Sequence, residues 1–256
     1  EFVPVPGVVQ EDGSITSYDP KEYNLDNVNA GKTLFDLYEL TGREKYRKAI
    51  DTVYSQLKGQ PRTTTGNFWH KMIYPNQIWL DGLYMAQPFY MQYEVTYNNS
   101  TNCKDCYQQF VNVYNLMRDL RNGLYYHAYD DSRTSFWCDK VTGLSDNFWL
   151  RALGWYAMAL IDTMEVMPEE TLGSEKKEMN RIYKELIDSM LPYQDEETGM
   201  WYQVVNRGGI HPNYLETSGS AIFAYAIMKS VRLGFLDGSY FAYGKKAFEG
   251  ICRTYL

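Results

Sequence analysis

The sequence predicts an all-α fold assembled from repeated helical hairpins, and three observations carry that prediction. Apolar residues recur mainly at helical spacing. The helices so defined alternate between an amphipathic kind and a nearly apolar kind. A short glycine-aromatic piece returns three times at the junctions between them, as Gly66-Asn-Phe-Trp-His-Lys, Gly123-Leu-Tyr-Tyr-His-Ala and Gly199-Met-Trp-Tyr-Gln-Val.

Taken in chain order, the apolar segments cover about residues 25–40, 78–97, 148–164 and 215–233, rich in Gly, Ala, Tyr and Met. The amphipathic segments cover about residues 41–57, 105–120, 174–191 and 240–256, each with Lys, Arg and Glu on one face. Apolar helices belong inside and amphipathic ones outside against water. The separations of the three glycine-aromatic pieces, 57 and 76 residues, fit a hairpin repeat with variable loops, as in solenoids and closed helical rings.

Bulk properties bound the function. A chain of 256 residues with 45% apolar and 16% aromatic content buries a large core and reads as one domain over residues 1–256. The net charge of -7 leaves no basic stripe to neutralise phosphates, which argues against a nucleic-acid partner. No run of about 18 apolar residues is present, so no membrane span is expected. The first residues lack a basic region followed by an apolar stretch, and the expectation is a cytoplasmic monomer. Cys103, Cys106, Cys138 and Cys252 include one C-x-x-C but no second Cys/His pair at zinc spacing. They read as free thiols, with no metal and no cofactor expected.

The apolar helices open alike: Leu25-Asp26, Leu80-Asp81, Leu150-Arg151 and Leu215-Glu216, with Gly31, Gly82, Gly154 and Gly219 following. Parallel inner helices in a ring put their N-termini on one rim, so these polar residues would surround one cavity walled by aromatics. Capping and the helix macrodipole also favour carboxylates at helix starts. They disfavour a cation such as Arg151 there, which marks it for another role.

Asp26 and Asp81 form a plausible acid/base pair, since mutual repulsion and burial hold one carboxyl protonated near neutral pH. His70 and His127 lie inside two of the glycine-aromatic pieces, and His211 precedes the last inner helix. Each could equally be a satisfied structural histidine. Trp149, Arg151 and Trp155 place two indoles and a guanidinium within two turns, which suits an acidic sugar: indole faces stack on pyranose rings and a guanidinium takes a carboxylate bidentately. Lys71 adds positive charge. Asp130-Asp131 is a reserve acidic site, although adjacent carboxylates in such a loop usually face solvent.

The segments Phe68-Trp-His-Lys-Met-Ile-Tyr-Pro-Asn-Gln-Ile-Trp-Leu-Asp-Gly-Leu-Tyr-Met85, Asn147-Phe-Trp-Leu-Arg-Ala-Leu-Gly-Trp-Tyr-Ala-Met158 and Leu25-Asp-Asn-Val-Asn-Ala-Gly31 resemble glycoside hydrolase family 105, the unsaturated rhamnogalacturonyl hydrolases, which are related to the unsaturated glucuronyl hydrolases of family 88. The resemblance runs from about Tyr18 to the C-terminus. It implies an (α/α)6 toroid and a substrate made of unsaturated galacturonyl-rhamnose oligosaccharide, a pectin fragment. It makes Asp81 the catalytic acid/base and Asp26 its carboxylate helper. His70, Lys71, Trp79, His127, Trp149, Arg151, Trp155 and Glu216 are then expected at the substrate. The implied reaction hydrates the C4=C5 vinyl ether of the terminal uronate. Six hairpins need twelve helices and about eight are legible, so the toroid is expected to be incomplete, shorter than the family at both ends. Two rival readings are a family 88 type glucuronyl hydrolase on the same scaffold and a non-catalytic carbohydrate-binding toroid. An epimerase or lyase would need a histidine or tyrosine base instead.

Overall fold

The computed structural model describes residues 8–255 and is helical, with nine α-helices and one two-stranded sheet among those residues. The inner helices are α1 (Leu25–Asn29) with α2 (Lys32–Thr41), α4 (Leu80–Tyr97), α6 (Leu150–Val166) and α8 (Thr217–Arg232). The outer helices are α3 (Glu44–Gly59), α5 (Cys103–Met117), α7 (Glu169–Met190) and α9 (Phe241–Tyr255). The eight expected helices are therefore present, the first inner one broken at Ala30 and Gly31. Helix α1 packs on α4, α4 on α6 and α6 on α8, while each outer helix packs behind its own inner partner. The result is a row of four hairpins with one apolar core running from Val9 to Ala247.

The glycine-aromatic piece explains the repeat. Gly66, Gly123 and Gly199 all have positive φ (94°, 76° and 74°), where a side chain is strained, so each turn out of an outer helix needs glycine. The third residue of each piece, Phe68, Tyr125 or Trp201, is buried in the core. The carbonyl of the fifth accepts from the first amide of that hairpin's inner helix: Leu25 N to His70 O at 3.1 Å, Leu80 N to His127 O at 3.0 Å, Leu150 N to Gln203 O at 2.9 Å. Each piece thus satisfies an orphan N–H of an inner helix and fixes where that helix begins.

The first inner helix begins at Leu25 as expected, while the next three begin two residues after their apolar segments open, at Leu80, Leu150 and Thr217. The residues before each helix run extended and pair with the piece: Asn24 with Lys71, Trp79 with Ala128, Trp149 with Val204. At the second hairpin the pairing lengthens into strands β1 (Gln77–Trp79) and β2 (Ala128–Asp130). The fourth helix corrects the sequence alignment. Helix α8 begins at Thr217 with Glu216 as its N-cap, so Ser218 occupies the position of Asp26, Asp81 and Arg151. Gly219 then matches Gly82 in register. The four cysteines are free, as expected. No helix among the described residues is long and apolar enough to cross a membrane.

Candidate active site

Asp26 and Asp81, each the second residue of its helix, line one cavity of about 390 Å³ together with Asn29, His70, Lys71, Trp79 and Met85. Lys71 Nζ lies 2.6 Å from Asp26 Oδ2, and His70 Nε2 lies 3.5 Å from Asp26 Oδ1. The His70 ring is 3% exposed and stacks on Trp79, with centroids 4.7 Å apart and planes 11° off parallel; Tyr74 stacks near Trp79 at 5.3 Å. Gly82 makes this possible: a Cβ there would stand 2.9 Å from His70 Nδ1. The glycine after Asp81 is therefore the space that the imidazole occupies.

Asp81 Oδ2 is buried and has no hydrogen-bond partner. Burial pushes its carboxyl up to about 6, and the charge of Asp26 pushes the same way; Arg151 and Lys71 pull it back only in part. His70 goes the other way: burial takes it down to about 4, so it is neutral at physiological pH. Its Nδ1, like that of His127, is buried without a partner. Burial also lowers His127.

A second group of expected residues continues the wall beyond Asp81. The His127 ring meets Trp149 edge-on at 6.0 Å, and the Arg151 guanidinium lies 4.5 Å from the Trp149 centroid. Arg151 Nη1 reaches Glu216 Oε1 at 3.4 Å and Ser218 Oγ at 3.3 Å. Glu216 is 5% exposed and its carboxylate accepts from the Ser218 and Gly219 amides and the Ser218 hydroxyl, so it serves first as a helix cap and then as partner to Arg151. This is the reason a cation is tolerated at a helix N-terminus. Trp155 lies one turn below Arg151 and stacks on Tyr84 at 4.9 Å, and Lys32 Nζ lies 3.5 Å over the other partner of that stack, Tyr84. Lys32, Gln92, Asp162 and Lys229, from α2, α4, α6 and α8, border one further cavity, so the four inner helices face a shared interior.

Two residues escaped sequence reasoning. Trp137 lies 6.4 Å from the His127 ring, and a tryptophan in so polar a loop was the available signal. Ser218 was hidden by the slipped register. The reserve pair Asp130-Asp131 is also corrected: neither carboxylate simply faces solvent. Asp130 is fully buried and accepts from the amides of Ser132, Thr134 and Ser135 and from the Ser132 hydroxyl. Although burial works to raise it, those bonds hold its carboxyl at about 2, which rules it out as a proton donor near neutral pH. Asp131 accepts from the Thr64 amide and hydroxyl. His211 lies outside both groups, in the loop before α8. Among the described residues no cluster of three His, Cys, Asp or Glu is disposed to hold a metal ion.

Comparison with known proteins gives the family and the fold. A glycoside hydrolase of family 105 from C. acetobutylicum superposes with a TM-score of 0.93 at 43% identity, over 96% of this chain and 68% of that one. Protein Atu3128 of Agrobacterium fabrum is 35% identical over 176 residues, which are 67% of this chain and 73% of that protein. The unsaturated rhamnogalacturonyl hydrolase YesR of Bacillus subtilis is 26% identical over 216 residues, 82% of this chain but 59% of its own length. The family model for Glycosyl Hydrolase Family 88 matches residues 6–255, and the chain belongs to that family, a glycoside hydrolase on the α/α-toroid fold it shares with family 105.

Proposed function

We propose that this glycoside hydrolase releases the terminal unsaturated galacturonic acid from rhamnogalacturonan oligosaccharides, with Asp81 as acid/base and Asp26 as its helper. The observation that carries the reading is the Asp81 carboxyl, whose Oδ2 is buried without a partner and which burial raises to about 6 despite a hydrogen bond from its own amide. A vinyl ether is hydrated by protonation at carbon, which requires an acid still protonated near neutral pH. The likeness to YesR supports the choice of a galacturonyl-rhamnose substrate.

Protonated Asp81 delivers its proton to C4, and the positive charge left at C5 is shared with the ring oxygen. Water adds to C5 and its proton returns to the Asp81 carboxylate. The product is a hemiketal at C5, whose ring opens; the hemiacetal freed at C1 then expels the rhamnose. The Asp26 carboxylate, paired with Lys71, raises the Asp81 carboxyl through its charge and so favours the protonated form of Asp81 at the start. Arg151, over the Trp149 ring and bonded to Glu216 and Ser218, is the donor fork suited to the uronate carboxylate. Trp79, Trp149 and Trp155 supply ring faces for the sugar.

The test follows loss of the ultraviolet absorbance of the conjugated uronate, using unsaturated galacturonyl-rhamnose disaccharide. Asp81→Asn is expected to lower kcat by about 100-fold or more, the usual worth of a positioned general acid. Parental turnover by Asp81→Asn would sink the assignment. Faster turnover of an unsaturated glucuronyl disaccharide would move the substrate to glycosaminoglycan fragments and leave Asp81 in place.

A further inference from the structure

Next to the catalytic wall lies a separate cavity of about 270 Å³, bordered by Asn147, Gln203, Arg207, His211, Asn213 and Tyr214. It is joined to that wall through the backbone. Val204 bridges Trp149, Val205 N donates to Phe148 O at 3.0 Å, and Leu150 N donates to Gln203 O at 2.9 Å. The cavity therefore begins one strand spacing, about 5 Å, from the backbone that carries Trp149 and leads to Arg151.

The loop around it is held in shape by backbone hydrogen bonds and by two side chains, Asn213 and Tyr214. Asn213 Oδ1 accepts from Val204 N at 3.0 Å, and its Nδ2 donates to Val204 O at 3.0 Å and Arg207 O at 2.7 Å. The Tyr214 hydroxyl donates to Gln203 Oε1. Such a frame fixes the loop backbone and leaves the Arg207 guanidinium and the His211 imidazole exposed. No carboxylate borders the cavity, although the chain carries a net charge of -7. Tyr214 is 54% exposed and Ile210 59%, apolar surface that packing does not explain. A planar guanidinium, two side-chain amides and an exposed phenol ring are together the groups that bind a sugar carrying a carboxylate.

We propose that this cavity is a distal subsite for a second, saturated uronate of the oligosaccharide, gripped through its carboxylate by Arg207. The proposal rests on the reading of the catalytic site given above, and it adds what that site leaves open: a preference for longer fragments. In an alternating galacturonate-rhamnose chain, the residue two sugars beyond the unsaturated terminus is again a galacturonate. The first carboxylate goes to Arg151 and the next to Arg207.

The experiment compares unsaturated galacturonyl-rhamnose disaccharide with the tetrasaccharide that extends it by one galacturonyl-rhamnose unit, and with that tetrasaccharide after reduction of its internal carboxyl to an alcohol. A charge-assisted hydrogen bond made only by the longer substrate gives it a kcat/KM about tenfold higher. Arg207→Ala is expected to erase that advantage through KM while changing the disaccharide by less than about twofold. Arg207→Lys should recover part of it, and the carboxyl-reduced tetrasaccharide should behave as the disaccharide does on the wild type. Equal kcat/KM for the two lengths on the wild type, or equal losses on both in Arg207→Ala, would overturn the subsite. Turnover of neither substrate would count against the catalytic reading alone. The subsite is then read by calorimetric binding of saturated galacturonyl-rhamnose disaccharide, which Arg207→Ala must weaken if the proposal holds and leave unchanged if it does not.

Discussion

At Asp81, burial outweighs the charged neighbours: Arg151 and Lys71 both favour the carboxylate, yet the carboxyl is raised to about 6. Two consequences follow for this one residue. The proposed donor role requires the protonated form in the free enzyme, so kcat/KM should be flat below about pH 6 and fall tenfold per unit above it, measured as a pH-rate profile on the disaccharide. A profile with no descending limb between pH 5 and about 8 would contradict the donor role. The second consequence concerns stability. An acid whose folded pKa lies above its unfolded value of 3.8 binds its proton more tightly in the fold, so its contribution is fully present below about pH 4 and is lost as pH rises through about 6. At neutral pH the ionised, buried group costs up to about 3 kcal/mol for a rise of roughly two units. Asp81→Asn should therefore unfold at higher denaturant concentration than the wild type at pH 8 and at the same concentration at pH 4. A variant that gains nothing at pH 8 would show that the carboxyl is better solvated than its buried oxygen implies.

Among the elements, the loop after β2 shows how a carboxylate can serve shape instead of chemistry. Asp130 gathers the amides of Ser132, Thr134 and Ser135 and one hydroxyl, and Ser135 Oγ accepts from Gln77 Nε2 while Gln77 Oε1 accepts from Trp79 Nε1. Asp130→Ala should leave those amides unsatisfied at a cost of about 1–3 kcal/mol, read as faster hydrogen exchange at Ser132, Thr134 and Ser135. Unchanged exchange there would mean that the loop is held by other contacts. The same loop marks what the sequence conveys and what it does not. Helical periodicity gives each hairpin because burial of an apolar face dictates it, and the rim follows because equivalent helices start at equivalent points. The start of a helix, however, is fixed by a carbonyl some 45 residues later in sequence, as Leu25 is by His70. Such a long-range hydrogen bond leaves no local mark. Hence the apolar segments opening at residues 78, 148 and 215 run two residues ahead of their helices, and the pattern aligns Glu216 two positions away from its place as the N-cap. The role of Asp130 was obscure for a similar reason, since a charged pair in a polar loop looks solvated until the backbone amides are seen to converge on it.

At the scale of the whole molecule, the candidate site depends on four helix ends being held side by side. Asp26, Asp81 and Arg151 stand at one register because α1, α4 and α6 begin at the same height, and α8 joins them through Ser218 and Glu216. The matched segments span 59% of YesR and 73% of protein Atu3128. The contact that sets the spacing of α6 and α8 is small. Gly219 sits against Leu150, and a Cβ there would stand 2.6 Å from Leu150 Cγ and 2.8 Å from Glu216 Oε2. A methyl group must therefore displace both the first residue of α6 and the cap that holds Arg151. Gly219→Ala is expected to destabilise the protein by about 1–3 kcal/mol through overpacking, despite the higher helix propensity of alanine. In a chain of this size that lowers Tm by roughly 2–4 °C per kcal/mol. Because the displaced cap is the partner of Arg151, KM for the disaccharide should rise at temperatures where the variant is fully folded, with kcat less affected. A variant with normal Tm and normal KM would show that the α6–α8 spacing has slack that the close approach of Gly219 and Leu150 does not indicate. If Tm falls while KM is unchanged, the helix spacing would be a matter of stability alone, and the clamp on the uronate would have to be sought outside the Arg151–Glu216 pair.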